Sequence, residues 1–335
     1  MNLLRKLLFP FSLLYGGITA LRNLLYDKGV LKSKTYDIPI ICVGNLSTGG
    51  TGKSPMIELL VSYLKTDHEI AVLSRGYKRK TSGFKTVLVD STVEEVGDEP
   101  LQFKRKFPEI SVAVCEDRQT GIEKLKTSAA VILLDDAFQH RKVKASLNIL
   151  LTPYNNLYSK DCMLPAGNLR EPRFGARRAQ IVVVTKCPEN IDAPKMELIK
   201  RKLSLKPHQA VYFSKIGYSS QIKNNTGSKP LTYLKNKKFL LVTGIANPKP
   251  FVEYLRQEGL QFETKSFPDH HNFSSVEIKQ LEKHELILTT EKDFMRLRPL
   301  ADKTEIYFLP ITTILLNEAE LDFKAKVIKK VGLVD

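Results

Sequence analysis

The sequence predicts an α/β protein: a mostly parallel sheet covered by helices on both faces, followed by a second, smaller α/β domain and preceded by an amphipathic helix. Three observations carry this. The runs Ile38 to Val43, Ala129 to Leu134, Leu147 to Leu151 and Ile181 to Thr185 are almost wholly apolar rather than alternating, as in strands buried on both faces. Helical patterns separate them. The polar motifs fall at the C-terminal ends of those runs, the edge where parallel α/β sheets bind ligands.

The chain has 335 residues, enough for two domains and a substantial core. Its 52 Lys+Arg against 36 Asp+Glu give a net charge of +16, so the expected partner is anionic: nucleotide, nucleic acid or an anionic membrane surface. Charge alone does not choose among them. The four cysteines, at 42, 115, 162 and 187, form no C-x-x-C pair, which argues against a zinc site or a disulfide frame and for buried thiols in a reducing compartment.

Residues 1–27 open the chain. Arg5-Lys6 precede an apolar run from Leu7 to Leu21 that Pro10 and Gly16-Gly17 interrupt. About fifteen residues are too few to span a bilayer, which needs roughly 20, and no small-x-small cleavage site follows. At helical spacing Leu7, Phe11, Leu14, Ile18, Leu21 and Leu25 share one face, and Arg5, Ser12, Thr19 and Asn23 the other. That pattern suits a helix lying in a membrane interface and equally a helix packed on its own domain.

Residues 28–215 form the first domain. Its signature is I-I-C-V-G-N-L-S-T-G-G-T-G-K-S-P at 40–55: strand, glycine-rich turn, helix. In that order the segment reads as a phosphate loop, so the sheet is expected to be P-loop NTPase-like, with Thr48, Gly49, Gly50, Thr51, Gly52, Lys53 and Ser54 around a nucleotide. Lys53 would reach the β/γ-phosphates and the Ser54 hydroxyl a Mg²⁺ ion. The general template has Gly where this chain has Ser47.

Glu69 to Leu73, Thr86 to Val89 and Ser111 to Val114 read as further strands, leading respectively to S-R-G-Y, to an acidic loop before G-D-E-P, and to E-D-R. Asp98, at a loop-to-helix transition, suits an N-cap or a carboxylate that orients an acceptor hydroxyl. Asp135-Asp136 end a buried strand, where phosphate-loop enzymes keep a Mg²⁺ carboxylate and where an ordinary polar turn also fits. N-L-R-E-P-R-F-G-A-R-R at 168–178 carries four arginines, suited to phosphate or to a solvated face.

Residues 216–335 are expected to form the C-terminal domain closing the nucleotide cleft, the boundary falling within about 185–235. Ser219 to Pro230 reads as a hairpin or loop, and Lys238 to Val242, Glu285 to Thr289 and Glu305 to Leu309 as strands. P-D-H-H-N-F at 268–273 precedes a capping box, Ser274 with Glu277. An Asp beside a His in a pinned loop, Asp269 and His270, can fix a tautomer or relay a proton; adjacent histidines are also ordinary loop residues.

Together V-G-N-L-S-T-G-G-T-G-K-S-P, S-R-G-Y, G-D-E-P, E-D-R, L-D-D-A-F-Q-H, L-P-A-G-N-L-R-E-P, T-G-I-A-N-P, F-P-D-H-H-N-F and T-T-E-K-D span most of the chain. In that order they resemble the tetraacyldisaccharide 4'-kinases, the lipid A pathway kinases of Gram-negative bacteria. Ser47 belongs to that family's own loop, and Ala137 stands where the family more often has Gly. The resemblance implies ATP- and Mg²⁺-dependent phosphorylation of the 4'-hydroxyl of a tetraacylated glucosamine disaccharide 1-phosphate in lipopolysaccharide biosynthesis. It places the enzyme peripherally on the anionic cytoplasmic face of the inner membrane, with the glycolipid as partner, no nucleic acid and no obligate protein partner.

It further implies catalytic roles for Asp98 and Lys53, with Asp269 and His270 tuning Asp98, and Mg²⁺ residues Ser54, Asp135 and Asp136. Arg75, Tyr77, Arg118, Gln139, His140, Arg170 and Glu171 would line the cleft. The competing class is a P-loop ATPase acting on nucleic acid, for which the apolar N-terminus has no use. A GTPase would want N-K-x-D, and T-K-C-P at 185–188 has the lysine without the aspartate.

Overall fold

The computed structural model describes residues 5, 7–297 and 304–332; the parts of the expected N-terminal helix at 1–4 and 6, and of the C-terminal domain at 298–303 and 333–335, lie outside the described residues. The apolar runs fold as β1 (Ile40–Asn45), β2 (Ile70–Ser74), β4 (Ser111–Val114), β5 (Val131–Asp135), β6 (Leu147–Pro153) and β7 (Ile181–Thr185) around the short β3 (Lys85–Thr86). They pair in parallel, and β3 adds an antiparallel edge to β4. The Val87 amide still donates to Val112 of β4, but Leu88 and Val89 do not continue that edge: both are exposed and the Leu88 amide donates to Ser91 Oγ, so turn chemistry overrides an apolar dipeptide.

β8 (Ala210–Tyr218) extends the sheet in parallel beyond β7, and the chain then crosses to a second sheet. That sheet holds β9 (Gln221–Lys223), β10 (Ser228–Pro230), β11 (Leu240–Thr243), β12 (Glu263–Ser266), β13 (Leu286–Thr290) and β14 (Glu305–Leu309), in the order β10-β9-β14-β13-β11-β12 among the described residues. The expected hairpin is β9–β10. After Pro310 the chain returns: β15 (Ile311–Leu315) pairs antiparallel with β8, and the helix Glu320–Val331 is tied to the large-sheet side by Tyr63 to Glu320 at 3.0 Å and Tyr212 to Asp322 at 2.5 Å. Residues 216–335 therefore do not run as one unbroken unit. The larger sheet reads β15-β8-β7-β6-β1-β5-β2-β4-β3, with β1 at the switch between neighbours β5 and β6.

β1 shows how both faces are covered. Ile41 and Val43 join one apolar cluster with Met56, Ile57 and Leu60 of the helix Lys53–Leu64, while Ile40 and Cys42 join another on the opposite face. The first cluster continues through Val242, Ile287 and Phe308 of the second sheet, so the two sheets share a core. All four cysteines are free.

Charge is buried at this junction. Glu58, on the helix Lys53–Leu64, and Glu291, at the start of the second sheet's helix Glu291–Leu297, share one ammonium: Lys106 Nζ lies 2.7 Å from Glu58 and 3.1 Å from Glu291. Gln102 donates to Glu58 at 2.8 Å. Burial, then the Glu291 charge, push the Glu58 carboxyl up to about 7 against the pull of Lys106. A carboxyl raised in the folded state stabilises below its unfolded value near 4.5, and that contribution is lost as pH rises through about 7. Glu58→Gln, which mimics the neutral form, should leave the Tm near wild type at pH 5 and raise it increasingly towards pH 8; a difference that is flat across this range contradicts the shift.

Candidate active site

The phosphate loop is built as the glycines demand. Gly49 and Gly52 have φ of 100° and 91°, in the left-handed region. Gly52 caps the helix Lys53–Leu64 with no side-chain acceptor on its first amides, which leaves them for an anion. Ser47 lies outside the left-handed region and forms an antiparallel bridge with Leu169, so that position needs no glycine. Gly44 does: an added Cβ would stand 2.7 Å from Phe138 Cβ. Thr51 Oγ1 is buried without a partner, an orphaned hydroxyl facing no protein acceptor. The loop opens on a cavity of about 430 Å³, whose opposite wall comes from Tyr218, Ile245, Phe251 and Leu309.

The paired carboxylates after β5 point to different partners, because Asp136 takes φ 47° and turns the chain. Arg170 grips both oxygens of Asp136 at 3.0 and 2.7 Å, and Lys53 Nζ lies 3.8 Å away. Burial opposes ionisation of Asp136, yet Arg170 and Lys53 outweigh it and hold the carboxyl down at about 2. Asp135 accepts from Ser74 Oγ at 2.9 Å through one oxygen, and its other oxygen is buried without a partner. Burial, Glu99 and Asp136 push Asp135 up to about 7. Ser54 Oγ donates to Glu99 Oε1 at 3.0 Å. Among the described residues no cluster of three or more Asp, Glu, His or Cys side chains forms a ready metal cage.

Asp98 is not an N-cap. Gly97 occupies that position at φ 90°, where a Cβ would meet the Tyr77 carbonyl at 3.1 Å, and Asp98 starts the helix Asp98–Lys106. Its carboxylate instead faces the second sheet. His270 Nδ1 lies 2.9 Å from Asp98 Oδ2, and Lys292 Nζ 2.9 Å from His270 Nε2. An ammonium only donates, so Nε2 must accept and Nδ1 carries the proton that it gives to Asp98. Asp269 stands 4.0 Å from Nε2, so the tautomer is set by Asp98 and Lys292 rather than by the neighbouring aspartate. Burial raises Asp98, but the His270 hydrogen bond and the charges of Lys292 and Arg296 prevail and hold it at about 2. Tyr77 sits edge-on to His270 at 5.2 Å, and with Lys78 and Arg296 they line a second cavity of about 60 Å³.

The remaining expected cleft residues divide. Arg75 and Tyr77 are exposed at the rim. Gln139 donates to the Asn45 carbonyl and His140, half-buried, is pushed down to about 4 by burial, Arg118 and Arg75. Arg118 and Glu171 do not line open space. Arg118 is 2% exposed and donates to the Cys115 and Asp135 carbonyls; Glu171 is fully buried, held by Asn23 at 2.8 Å and Arg178 at 2.7 Å, as a buried carboxylate requires. Glu99, Lys292 and Arg296 were not anticipated in the site. The first two sit inside G-D-E-P and T-T-E-K-D, and Arg296 one helical turn further on.

Those contacts fasten the N-terminal helix Phe9–Asp27 inside out. Its polar face packs inward, with Ser12, Thr19 and Asn23 buried, Ser12 Oγ accepting from the Ala166 amide at 2.9 Å and Tyr15 donating to the Arg170 carbonyl at 3.0 Å. Its apolar face points outward: Phe11, Leu13, Leu14 and Ile18 are between 60% and 65% exposed. Among the described residues no helix is long and apolar enough to cross a membrane.

The chain is similar to known proteins along nearly its whole length. The model of the tetraacyldisaccharide-1-P 4'-kinase (LpxK) family matches residues 4–331. The tetraacyldisaccharide 4'-kinase of Flavobacterium johnsoniae is 49% identical over 326 residues, covering 96% of this chain and 95% of that protein, and that of Bacteroides thetaiotaomicron is 44% identical, covering 97% and 93%. Among solved structures, LpxK from Aquifex aeolicus in complex with ATP aligns with a TM-score of 0.81 at 34% identity, covering 98% of this chain and 100% of that one.

The tautomer is directly measurable. In ¹⁵N-detected NMR the His270 ring should show its proton on Nδ1 with Nε2 accepting, and Lys292→Met should shift the Nε2 resonance by removing that donor. A wild-type signal from the Nε2–H form contradicts the Asp98–His270–Lys292 arrangement.

Proposed function

The chain belongs to the tetraacyldisaccharide-1-P 4'-kinase family, and on that premise we propose how its cleft transfers the γ-phosphate of ATP to the 4'-hydroxyl of a tetraacylated glucosamine disaccharide 1-phosphate. One observation carries the reading. Asp98 and Glu99 are adjacent at one helix start; Glu99 bonds Ser54 of the phosphate loop while Asp98 faces His270 from the other sheet. An acceptor hydroxyl beside Asp98 is thereby close to a phosphate bound at residues 48–54.

ATP fits the large cavity: its phosphates suit the free amides of the loop and the orphaned Thr51 hydroxyl, and its base the apolar wall of Tyr218 and Phe251. The donor set also suits Mg²⁺. The unpartnered Asp135 oxygen, with Ser54 and Glu99, offers few but hard oxygens, as expected of an ion held mainly by phosphates; Asp136, engaged by Arg170 and Lys53, acts from behind. When bound, the ion would neutralise charge developing between the β- and γ-phosphates.

Lys53 stabilises the transferring group and Asp98 aligns the hydroxyl. A carboxylate held at about 2 is a weak base, which suits a loose transition state in which the hydroxyl proton leaves late. His270 keeps Asp98 fixed and anionic, and Asp269 lies at the cavity edge where closing of the second sheet's loops would exclude water. Arg75, Tyr77, Lys78 and His140 suit contacts to the sugar and its 1-phosphate.

The outward apolar face of the helix Phe9–Asp27 supports a peripheral station on the anionic cytoplasmic face of the inner membrane, where the acyl chains of the acceptor lie. The net positive charge then serves anionic lipid and phosphates rather than nucleic acid. The test is transfer of labelled γ-phosphate from ATP to the disaccharide 1-phosphate. Wild type should give product and Lys53→Ala about 100-fold less; equal rates would remove the phosphate loop from the chemistry. The Leu13→Ser/Leu14→Ser/Ile18→Ser variant should be slow on substrate in anionic vesicles and normal in detergent, and equal rates in both would defeat the anchor.

A further inference from the structure

The segment Thr185-Lys186 at the end of β7, the T-K-C-P stretch without the guanine-reading aspartate, meets the phosphate loop: Thr185 is buried against it, while Lys186 is exposed and lines the same cavity as the loop. Thr185 Oγ1 donates to the Thr51 carbonyl at 2.7 Å, and Lys186 Nζ donates to the Gly50 carbonyl at 2.6 Å. Thr185 and Thr51 are each 3% exposed, and Lys186 reaches its carbonyl from a left-handed turn at φ 56°. Two neighbouring side chains on a rigid strand end thus hold two successive carbonyls of the loop.

The peptide plane turns this into a statement about donors. In a trans peptide the C=O and the following N–H point to opposite sides. Fixing the Gly50 carbonyl on Lys186 turns the Thr51 amide to the opposite side, and fixing the Thr51 carbonyl on Thr185 does the same for the Gly52 amide. Among the described residues neither amide donates to a protein acceptor. The loop needs such anchors, since Gly49, Gly50 and Gly52 leave its backbone free to rotate and an unheld peptide could present an oxygen to the phosphate.

We infer that Thr185 and Lys186 are positioning residues that preorganise the phosphate loop, holding the Thr51 and Gly52 amides toward the triphosphate by pinning the carbonyls behind them. The inference rests on the reading of residues 48–54 as the phosphate site. Thr185 carries the argument most cleanly, because its hydroxyl is bound to the loop carbonyl in a buried position and acts on a phosphate only through the loop.

The experiment compares binding of ATP and of adenosine by calorimetry in the full chain, for Thr185→Val, Lys186→Met, the conservative Thr185→Ser and Lys186→Arg, and Lys53→Ala as reference. Thr185→Val and Lys186→Met should each weaken ATP about tenfold while adenosine binds as in wild type, and Ser and Arg should recover most of the loss. A general distortion would weaken both ligands together and overturns the inference. Loss with Lys186→Met alone marks a direct charge on phosphate and overturns the pair. If Lys53→Ala weakens ATP while neither variant does, this inference alone fails; if Lys53→Ala also leaves ATP unchanged, the phosphate-site reading fails with it.

Discussion

The cleft depends on one buried anion held by groups from the opposite side. Asp98 begins a helix of the larger sheet, but the donors that keep it ionised, His270 and the nearby Lys292 and Arg296, belong to the smaller one. A carboxylate 4% exposed and without those partners would take up a proton rather than stay charged. The Asp98 charge and the seating of the two sheets are therefore linked. The shared apolar core brings the sheets together, and the ion cluster of Glu58, Lys106 and Glu291 fixes the same junction deeper in.

A similar economy governs the N-terminal helix. An ordinary surface helix buries its apolar stripe and leaves its polar face to water. Here the polar face is satisfied by Glu171, the Ala166 amide and the Arg170 carbonyl, and the apolar face has no cover among the described residues. Arg170 also grips Asp136, so the segment that seats the helix contacts the acidic turn after β5. The helix with the outward apolar face and the phosphate site are seated by one stretch of chain, residues 166–171.

Much of this was legible in the sequence. Continuous apolar runs marked β1 and β5 to β7, and the glycine-rich turn marked the phosphate loop. The rest was not, for identifiable reasons. β12 is E-T-K-S on an exposed edge, with no hydrophobic signal, and β15 follows a proline and pairs with the half-buried β8 from about a hundred residues earlier. Periodicity divided the N-terminal helix into two faces correctly, but only tertiary structure says which one turns inward. Asp269 was the sequence neighbour of His270, and local reasoning favoured it; the ring is held instead by Asp98 and Lys292, which only the fold brings near. Arg118 and Glu171 lie in motifs and proved to be buried supports of the site.

The central claim is that Asp98 acts on the acceptor hydroxyl and not on the nucleotide. The most direct measurement is the turnover of Asp98→Asn at saturating ATP and glycolipid, set beside its affinity for ATP. The account predicts a fall in turnover of about 100-fold or more with ATP affinity close to wild type. Normal turnover at saturating ATP, with weakened ATP binding, would contradict it and move Asp98 to the nucleotide side of the cleft.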